Sequence, residues 1–147
     1  MSADILTAAR GYAARGWVVH PLSSPKSKGK GPGKRPLLTG WQKRKHPAAE
    51  EELKKWFKGT KNNIGLVCGM ASGVDAFDLD TDIFADELYG DTEPNTLISG
   101  HRPGRCHVLF QHEADLIAEK CHFIGIEYFG NSKDGNGNNI VLPPSIH

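Results

Sequence analysis

A helix-and-sheet domain, α/β or α+β in class, is what this 147-residue sequence predicts. Three observations carry the prediction. Apolar residues recur at helical spacing in a few segments, short runs rich in Val, Ile, Leu and Phe read as strands, and the breaks between them fall at Gly, Pro, Asn and Asp. Alternation of this kind suits one core built around a sheet.

The elements follow in order. "SADILTAARGYAARG" has helical apolar spacing and stops at Gly16. "WVVHPL" reads as a strand cut off by Pro21, and "HPAAEEELKKWF" as a helix with Pro47 in its first turn, acids early and lysines late, as the helix dipole favours. "NIGLVCG" and "VDAFDLD" are strands joined by the turn "MASG", and "DIFADELYG" a short helix. Further strands are "NTLIS", "CHVLFQ", "FIGIEYFG" and "NNIVLPP", with a short helix expected from Glu113 to Lys120.

With 38% hydrophobic and 24% charged residues the chain has the composition of an ordinary soluble domain. No apolar run reaches the roughly 20 residues that cross a bilayer and no secretory signal is visible, so the expectation is a cytoplasmic protein without a membrane partner. Three cysteines without framework spacing read as reduced thiols. The net charge of +1 hides an asymmetry: residues 1–50 carry ten cations and two acids, residues 51–147 eight cations and fifteen acids. "SPKSKGKGPGKR" concentrates Lys26, Lys28, Lys30, Lys34 and Arg35 among Gly and Pro that cannot hold a helix. Such a loop, expected to be extended, is either a solubilising surface or an arm that contacts a polyanion. Trp17, Trp41 and Trp56 are likewise either core residues or platforms on which bases stack.

"DAFDLDTD" places four carboxylates in eight residues. Strand side chains alternate between faces, so Asp78 and Asp80 project from one side and Phe77 and Leu79 from the other. Two like-charged groups along one strand call for a hard divalent cation between them, or else mark a strand running into a solvated acidic turn and the N-cap of a helix near Asp82. "SGHRPGRCHVLF" brings Ser99, Gly100, Arg102 and Arg105 ahead of His107, either as a basic hairpin turn or as the donors a triphosphate needs. In "GIEYFG", Glu127 interrupts another apolar strand. Together these make the parts of two-metal phosphoryl or nucleotidyl transfer.

"ARGYAARGWVVHPL", "GKRPLLTGWQ", "NIGLVCGMASGVDAFDLDTD", "SGHRPGRCHVLF", "GIEYFG" and "IVLPPSIH" resemble, in that order, the motifs of the bifunctional DNA primase/polymerase (Prim-Pol) domain of the archaeo-eukaryotic primase superfamily. The resemblance implies a primase-like catalytic core, a mixed sheet flanked by helices with an RRM-like half. It implies that Asp78, Asp80 and Glu127 hold two Mg²⁺ or Mn²⁺ ions, and that His107, with Ser99, Gly100, Arg102 and Arg105, binds the nucleotide. Lys34 and Pro36 fall on the family's "GKxP" segment, and Pro143, Pro144, Ser145 and His147 on its "PPSxH".

The implied activity is template-directed joining of NTPs or dNTPs on a single-stranded DNA template or primer, in replication of a plasmid, phage or other mobile element, with a replicative helicase as partner in cis or trans. Lys26, Lys28, Lys30, Lys34 and Arg35 are the expected DNA contacts. Two other classes stand beside this one: a non-catalytic single-stranded DNA or origin-binding module, and a metal-dependent nuclease. A pure binder has no need of acids that repel DNA. Some relatives insert a zinc-binding stem between the first two motifs, but Asp80 to His107 leaves no room for it, and Cys106-His107 and Cys121-His122 lack finger spacing, so no structural zinc is expected. Glu127 is longer than the family's usual Asp. The chain reads as one catalytic domain over 1–147, basic loop at 23–35 and metal and nucleotide motifs at 74–147, excised from a longer helicase-containing protein or minimal.

Neutralising Lys26, Lys28, Lys30, Lys34 and Arg35 together is expected to weaken binding to single-stranded DNA and flatten its salt dependence, by about 0.7 in the slope of log affinity against log salt per lost phosphate contact. Titrations at several salt concentrations read this; an unchanged affinity and slope would make the loop a solvated surface.

Overall fold

The structure, a computed structural model, describes residues 4–79, 96–102, 105–118 and 126–146, except the side chains of residues 100–102 and 105. Two α-helices and seven strands occur among the described residues, an α+β fold. Helix α1 spans Ile5–Ala14 and α2 Glu50–Phe57; the strands are β1 Val19–Leu22, β2 Asn63–Val67, β3 Val74–Leu79, β4 Ile98–Arg102, β5 Arg105–Gln111, β6 Ile126–Phe129 and β7 Asn139–Leu142. They divide between two sheets, ordered β1-β2-β7 and β4-β5-β3-β6, and every ladder between these strands is antiparallel. The expected class holds, with the strands shared between two antiparallel sheets instead of gathered in one mixed sheet. No helix among the described residues is long and apolar enough to cross a membrane.

Local chemistry sets the ends of the helices. The Asp4 carboxylate caps α1 by accepting the Thr7 N–H at 3.2 Å, and Gly16, at φ 83°, lets the chain leave the helix. Helix α2 begins three residues later than Pro47 suggested. Ala49 is its N-cap, and Glu52 accepts the Ala49 N–H at 3.1 Å, so the carboxylate's reach fixes the start where the proline does not. Leu6 and Ala9 of α1 and Leu53, Trp56 and Phe57 of α2 join Val19, Ile64, Leu66, Ile140 and Leu142 of the first sheet in one core. Arg10 of α1 and Glu50 of α2 pair across the exposed side of the two helices.

Trp17 and Trp56 belong to this packing. Trp17 stacks on Tyr12 with ring centroids 5.4 Å apart, Trp56 lies edge-on to Phe57 beneath Arg44, and Trp41 stacks on His20 at 4.9 Å. Trp17 and Trp56 are buried, which takes them away from solvent-borne bases.

Residues 23–35 are not extended, as expected from their composition, but folded back on themselves. Ser23 N–H donates to Arg35 O at 2.7 Å, Gly33 N–H to Ser24 O at 3.1 Å, and Arg35 N–H to Gly31 O at 3.1 Å. Asn63, buried at the start of β2, donates from Nδ2 to Gly33 O at 2.9 Å and to Ile146 O at 2.5 Å, tying the loop and the "PPSI" segment to the same strand. Lys26, Lys28, Lys30, Lys34 and Arg35 all remain exposed on the outside of this closed loop. The helix expected from Glu113 to Lys120 is also absent over the described residues 113–118; a turn and an isolated parallel bridge, Ile117 to Asn131, take its place. Asp75 accepts the Glu113 N–H, and Ala118 N–H donates to Asn131 O at 2.8 Å instead of to a carbonyl four residues back, which ties the segment to the chain after β6. "DIFADELYG" lies outside the described residues.

On the face of the first sheet turned from α1 and α2, His20 is wholly buried, its Nε2 2.8 Å from Asn139 Oδ1. A Cβ on Gly65 would lie 2.4 Å from Asn139 Oδ1 and 2.6 Å from His20 Nε2, so glycine is what permits this contact. Burial lowers the His20 pKa to about 4, against the opposing hydrogen bond to Asn139. Its ordinary value in an unfolded chain is about 6.5, so the unfolded state takes up the proton first, and the stability this group allows above pH 6.5 is lost as the pH falls towards 4. Denaturation at pH 7 and pH 4.5 is expected to show His20→Gln losing about 2 to 3 kcal/mol less than the parent over that interval. Equal losses would contradict the assignment.

Candidate nucleotide and metal site

The second sheet carries the residues that the sequence singled out. In its ladders Asp78 of β3 faces His107 of β5 on one side and Glu127 of β6 on the other, and His107 in turn faces Ser99 of β4. Ser99, His107, Asp78 and Glu127 thus form one row across four strands. Directly opposed residues of an antiparallel pair share a face, with Cβ atoms about 4.5–5.5 Å apart. His107 Nε2 lies 3.6 Å from Asp78 Oδ1, an ionic contact when the imidazole is protonated and too long for a direct hydrogen bond. His107 is buried, and Ser99, Asp78 and Glu127 are half-buried.

The row sits where the apolar packing of that face ends. Two residues back along β3, Ala76 faces Leu109 and Phe129, and this neighbouring row belongs to the hydrophobic core. One step along the strands the face therefore passes from a dry apolar layer to an acid, an imidazole, a second acid and a hydroxyl. The dry side leaves these groups few waters, which strengthens their interaction with a charged ligand.

Asp75 has a different fate from its neighbours in "DAFDLDTD". Strand parity puts it on the opposite face, where it is buried and accepts three donors: His112 Nδ1 at 2.9 Å, Glu113 N–H at 2.9 Å and Tyr128 Oη–H at 2.6 Å. A Cβ on Gly130 would come within 2.9 Å of Asp75 Oδ1 and 2.8 Å of the Tyr128 hydroxyl, so the chain keeps glycine there. Burial raises the Tyr128 pKa, and its hydrogen bond to Asp75 raises it further, so the phenol remains a donor. Phe77 packs on the same face between Phe110, at 5.5 Å, and Tyr128, at 5.3 Å. Tyr128 neighbours Glu127 in sequence, and its bond to Asp75 braces the β3–β6 pairing that sets Glu127 opposite Asp78.

Ser99 and Gly100, expected in a turn, lie inside β4; the ladder shifts register between Gly100 and Arg102. The backbones of Arg102 and Arg105 pair with each other, and their side chains lie outside the description, as do Asp80 and His147. Burial first, and the Asp78 charge second, push the Cys106 thiol up. Sequence reasoning missed the supporting residues Asp75, His112, Tyr128 and Asn63. Their signal was polarity within or beside apolar strands; their partners lie at least 30 residues away.

Residues 9–147 match the family described as bifunctional DNA primase/polymerase, N-terminal. The chain belongs to the Prim-Pol family. No curated protein matches it. The match covers both sheets and both helices from Ala9 onward, so the Prim-Pol assignment applies to the fold as a whole and not to one motif. At family level the activity is of the primase and polymerase type, nucleotidyl transfer, in a family generally dependent on divalent metal and acting on DNA and nucleotides.

Tyr128→Phe is expected to destabilise this Prim-Pol domain by about 1 to 3 kcal/mol, since it leaves the buried Asp75 one donor short. Urea denaturation measures this; no loss of stability would mean that the Tyr128 bond braces nothing.

Proposed function

We propose that the domain is a template-directed nucleotidyltransferase that joins NTPs or dNTPs on single-stranded DNA, with Asp78, Asp80 and Glu127 as metal ligands and His107 as a phosphate-binding group. The observation that carries this reading is the register that sets Asp78 between His107 and Glu127 in a Prim-Pol chain.

The donor set suits the metal. Two carboxylates on adjacent strands offer the oxygen ligands that Mg²⁺ and Mn²⁺ take. Among the described residues no group of three His, Cys, Asp or Glu is assembled for a metal; Asp80, two residues beyond Asp78 and outside the description, is the third ligand of the proposal. When bound, such ions activate the attacking 3′-hydroxyl and neutralise charge on the triphosphate and leaving pyrophosphate.

The chain's own groups orient the nucleotide. His107, held on the floor of the face beside Asp78, donates to a phosphate oxygen, an interaction that strengthens as charge develops on the leaving group. Arg102 and Arg105 hold the remaining phosphate oxygens as charged donors, with Ser99 and the Gly100 backbone completing the cradle. Lys26, Lys28, Lys30, Lys34 and Arg35, outward on their closed loop, attract the template strand. The apolar row behind Asp78 keeps water from that side of the reacting groups.

Primer extension on homopolymer templates, with labelled NTPs and dNTPs, tests the proposal. Asp78→Ala is expected to lower extension by at least about a hundredfold while the domain stays folded, because removing one acid from a like-charged set relieves repulsion in the metal-free state. Glu127→Asp should keep measurable activity and Glu127→Gln should not. His107→Ala is expected to raise the KM for dNTP and lower kcat with template affinity unchanged. Full extension by Asp78→Ala would overturn the metal assignment, and a shortened primer in the parent would replace the polymerase with a nuclease.

A further inference from the structure

A cavity of about 310 Å³ opens where the basic loop, the approach to β2 and the "PPSI" segment meet. It is within the range of about 300–1,000 Å³ typical of ligand pockets. Its apolar wall comes from Ile5, Pro25, Pro144 and Ile146, and its cations are Lys26 and Lys61. Among the described residues no acid lines it, and no lining residue comes from β3, β4, β5 or β6, the sheet that carries the Asp78 row. Neither Lys61 nor the wall belongs to the groups already assigned to nucleotide or template. The cavity is also held open by the fold. Asn63 bonds Gly33 O of the basic loop and both the N–H and C=O of Ile146, while Ser145 Oγ accepts the Ile64 N–H at 2.8 Å, so two of its walls are fastened to β2.

An apolar wall with two cations in the lining suits a ligand with a flat, weakly polar body and one negative charge. A nucleotide within a single strand has this form: the base buries its face, and the phosphate meets the lysines. The surroundings select a strand over a protein partner, because the cavity lies at the root of a loop bearing five exposed cations, in a stretch without an acid between Asp4 and Glu50. We propose that this cavity seats one nucleotide of single-stranded DNA, its base against Ile5, Pro25, Pro144 and Ile146 and its phosphate beside Lys26 and Lys61. It acts as a second hold on the strand, apart from the Asp78 row. This rests on the DNA-binding part of the proposed function and not on its chemistry.

The test is titration of the whole domain with fluorescein-labelled oligo-dT and with an abasic oligomer of equal length, without nucleotide and with divalent ions chelated. Chelation makes the outcome independent of Asp78, Asp80 and Glu127, so failure here is distinguishable from failure of the polymerase reading, which primer extension tests separately. The parent should prefer oligo-dT to the abasic strand. Ile146→Ser, at a position 69% exposed and joined to Asn63 only through its backbone, should weaken oligo-dT binding about fivefold and leave abasic binding unchanged. Lys61→Ala should weaken both strands alike and lower the salt slope by about 0.7. Free dTMP in excess should compete poorly if the cavity takes a nucleotide within a strand; strong competition would make it a mononucleotide site instead and overturn the proposal. Equal binding of the two oligomers by the parent, or unchanged oligo-dT binding by Ile146→Ser, would remove the base from the cavity. An unchanged salt slope for Lys61→Ala would remove the phosphate.

Discussion

The pairing of β3 with both β5 and β6 is the constraint on which the candidate site depends. Because strand side chains alternate with a period of two, a slip of one residue in either ladder would turn Glu127 or His107 to the opposite face and dissolve the row around Asp78. The fold invests in this register on the far side of the sheet. Asp75 is buried there among His112, the Glu113 amide and Tyr128, and Phe77 is wedged between Phe110 and Tyr128. A buried carboxylate is costly unless several donors meet it, so it discriminates strongly against any pairing that separates those donors. Two acids three residues apart thus do opposite work. Asp75 is satisfied by the protein and fixes the alignment; Asp78, half-buried on the other face beside His107, is the acid that the proposal assigns to a metal.

The first sheet and the helices serve another end. They form most of the core, and through Asn63 they fasten both the basic loop and the "PPSI" segment to the start of β2. A cation-rich loop closed on itself loses less conformational freedom on meeting a polyanion than an extended arm would, since much of that ordering is already done in folding. The proposed strand-binding surface is therefore part of the scaffold, and its charges are offered at fixed places.

What the sequence disclosed, and what it did not, follows the range of the interactions. Helix α1 and the strands depend on local periodicity and turn residues, which are legible in a single chain. The alignment of Asp78 with both His107 and Glu127 depends on pairing between segments about 30 to 50 residues apart; the residue types grouped them as parts of one chemistry, but no local pattern gave their register. Parity alone could have separated Asp75 from Asp78, but the donors that satisfy Asp75 come from the distant residues His112 and Tyr128. Gly and Pro in "SPKSKGKGPGKR" suggested an extended arm, whereas Gly29, Gly31 and Gly33 use positive φ to build the turns that close it. The helix expected after Glu113 is absent over the described residues because a distant partner takes a later amide: Ala118 N–H donates to Asn131 O at 2.8 Å.

The central claim is that one row across the second sheet is where metal and nucleotide meet, and paramagnetic broadening by Mn²⁺ addresses it most directly. In a two-dimensional amide spectrum of the isotopically labelled domain, substoichiometric Mn²⁺ should broaden the signals of Asp78, Glu127 and His107 before those of the first sheet, and added dNTP should extend the effect to Ser99 and Gly100. Broadening centred on any other part of the chain, or spread evenly over its exposed acids, would contradict the account.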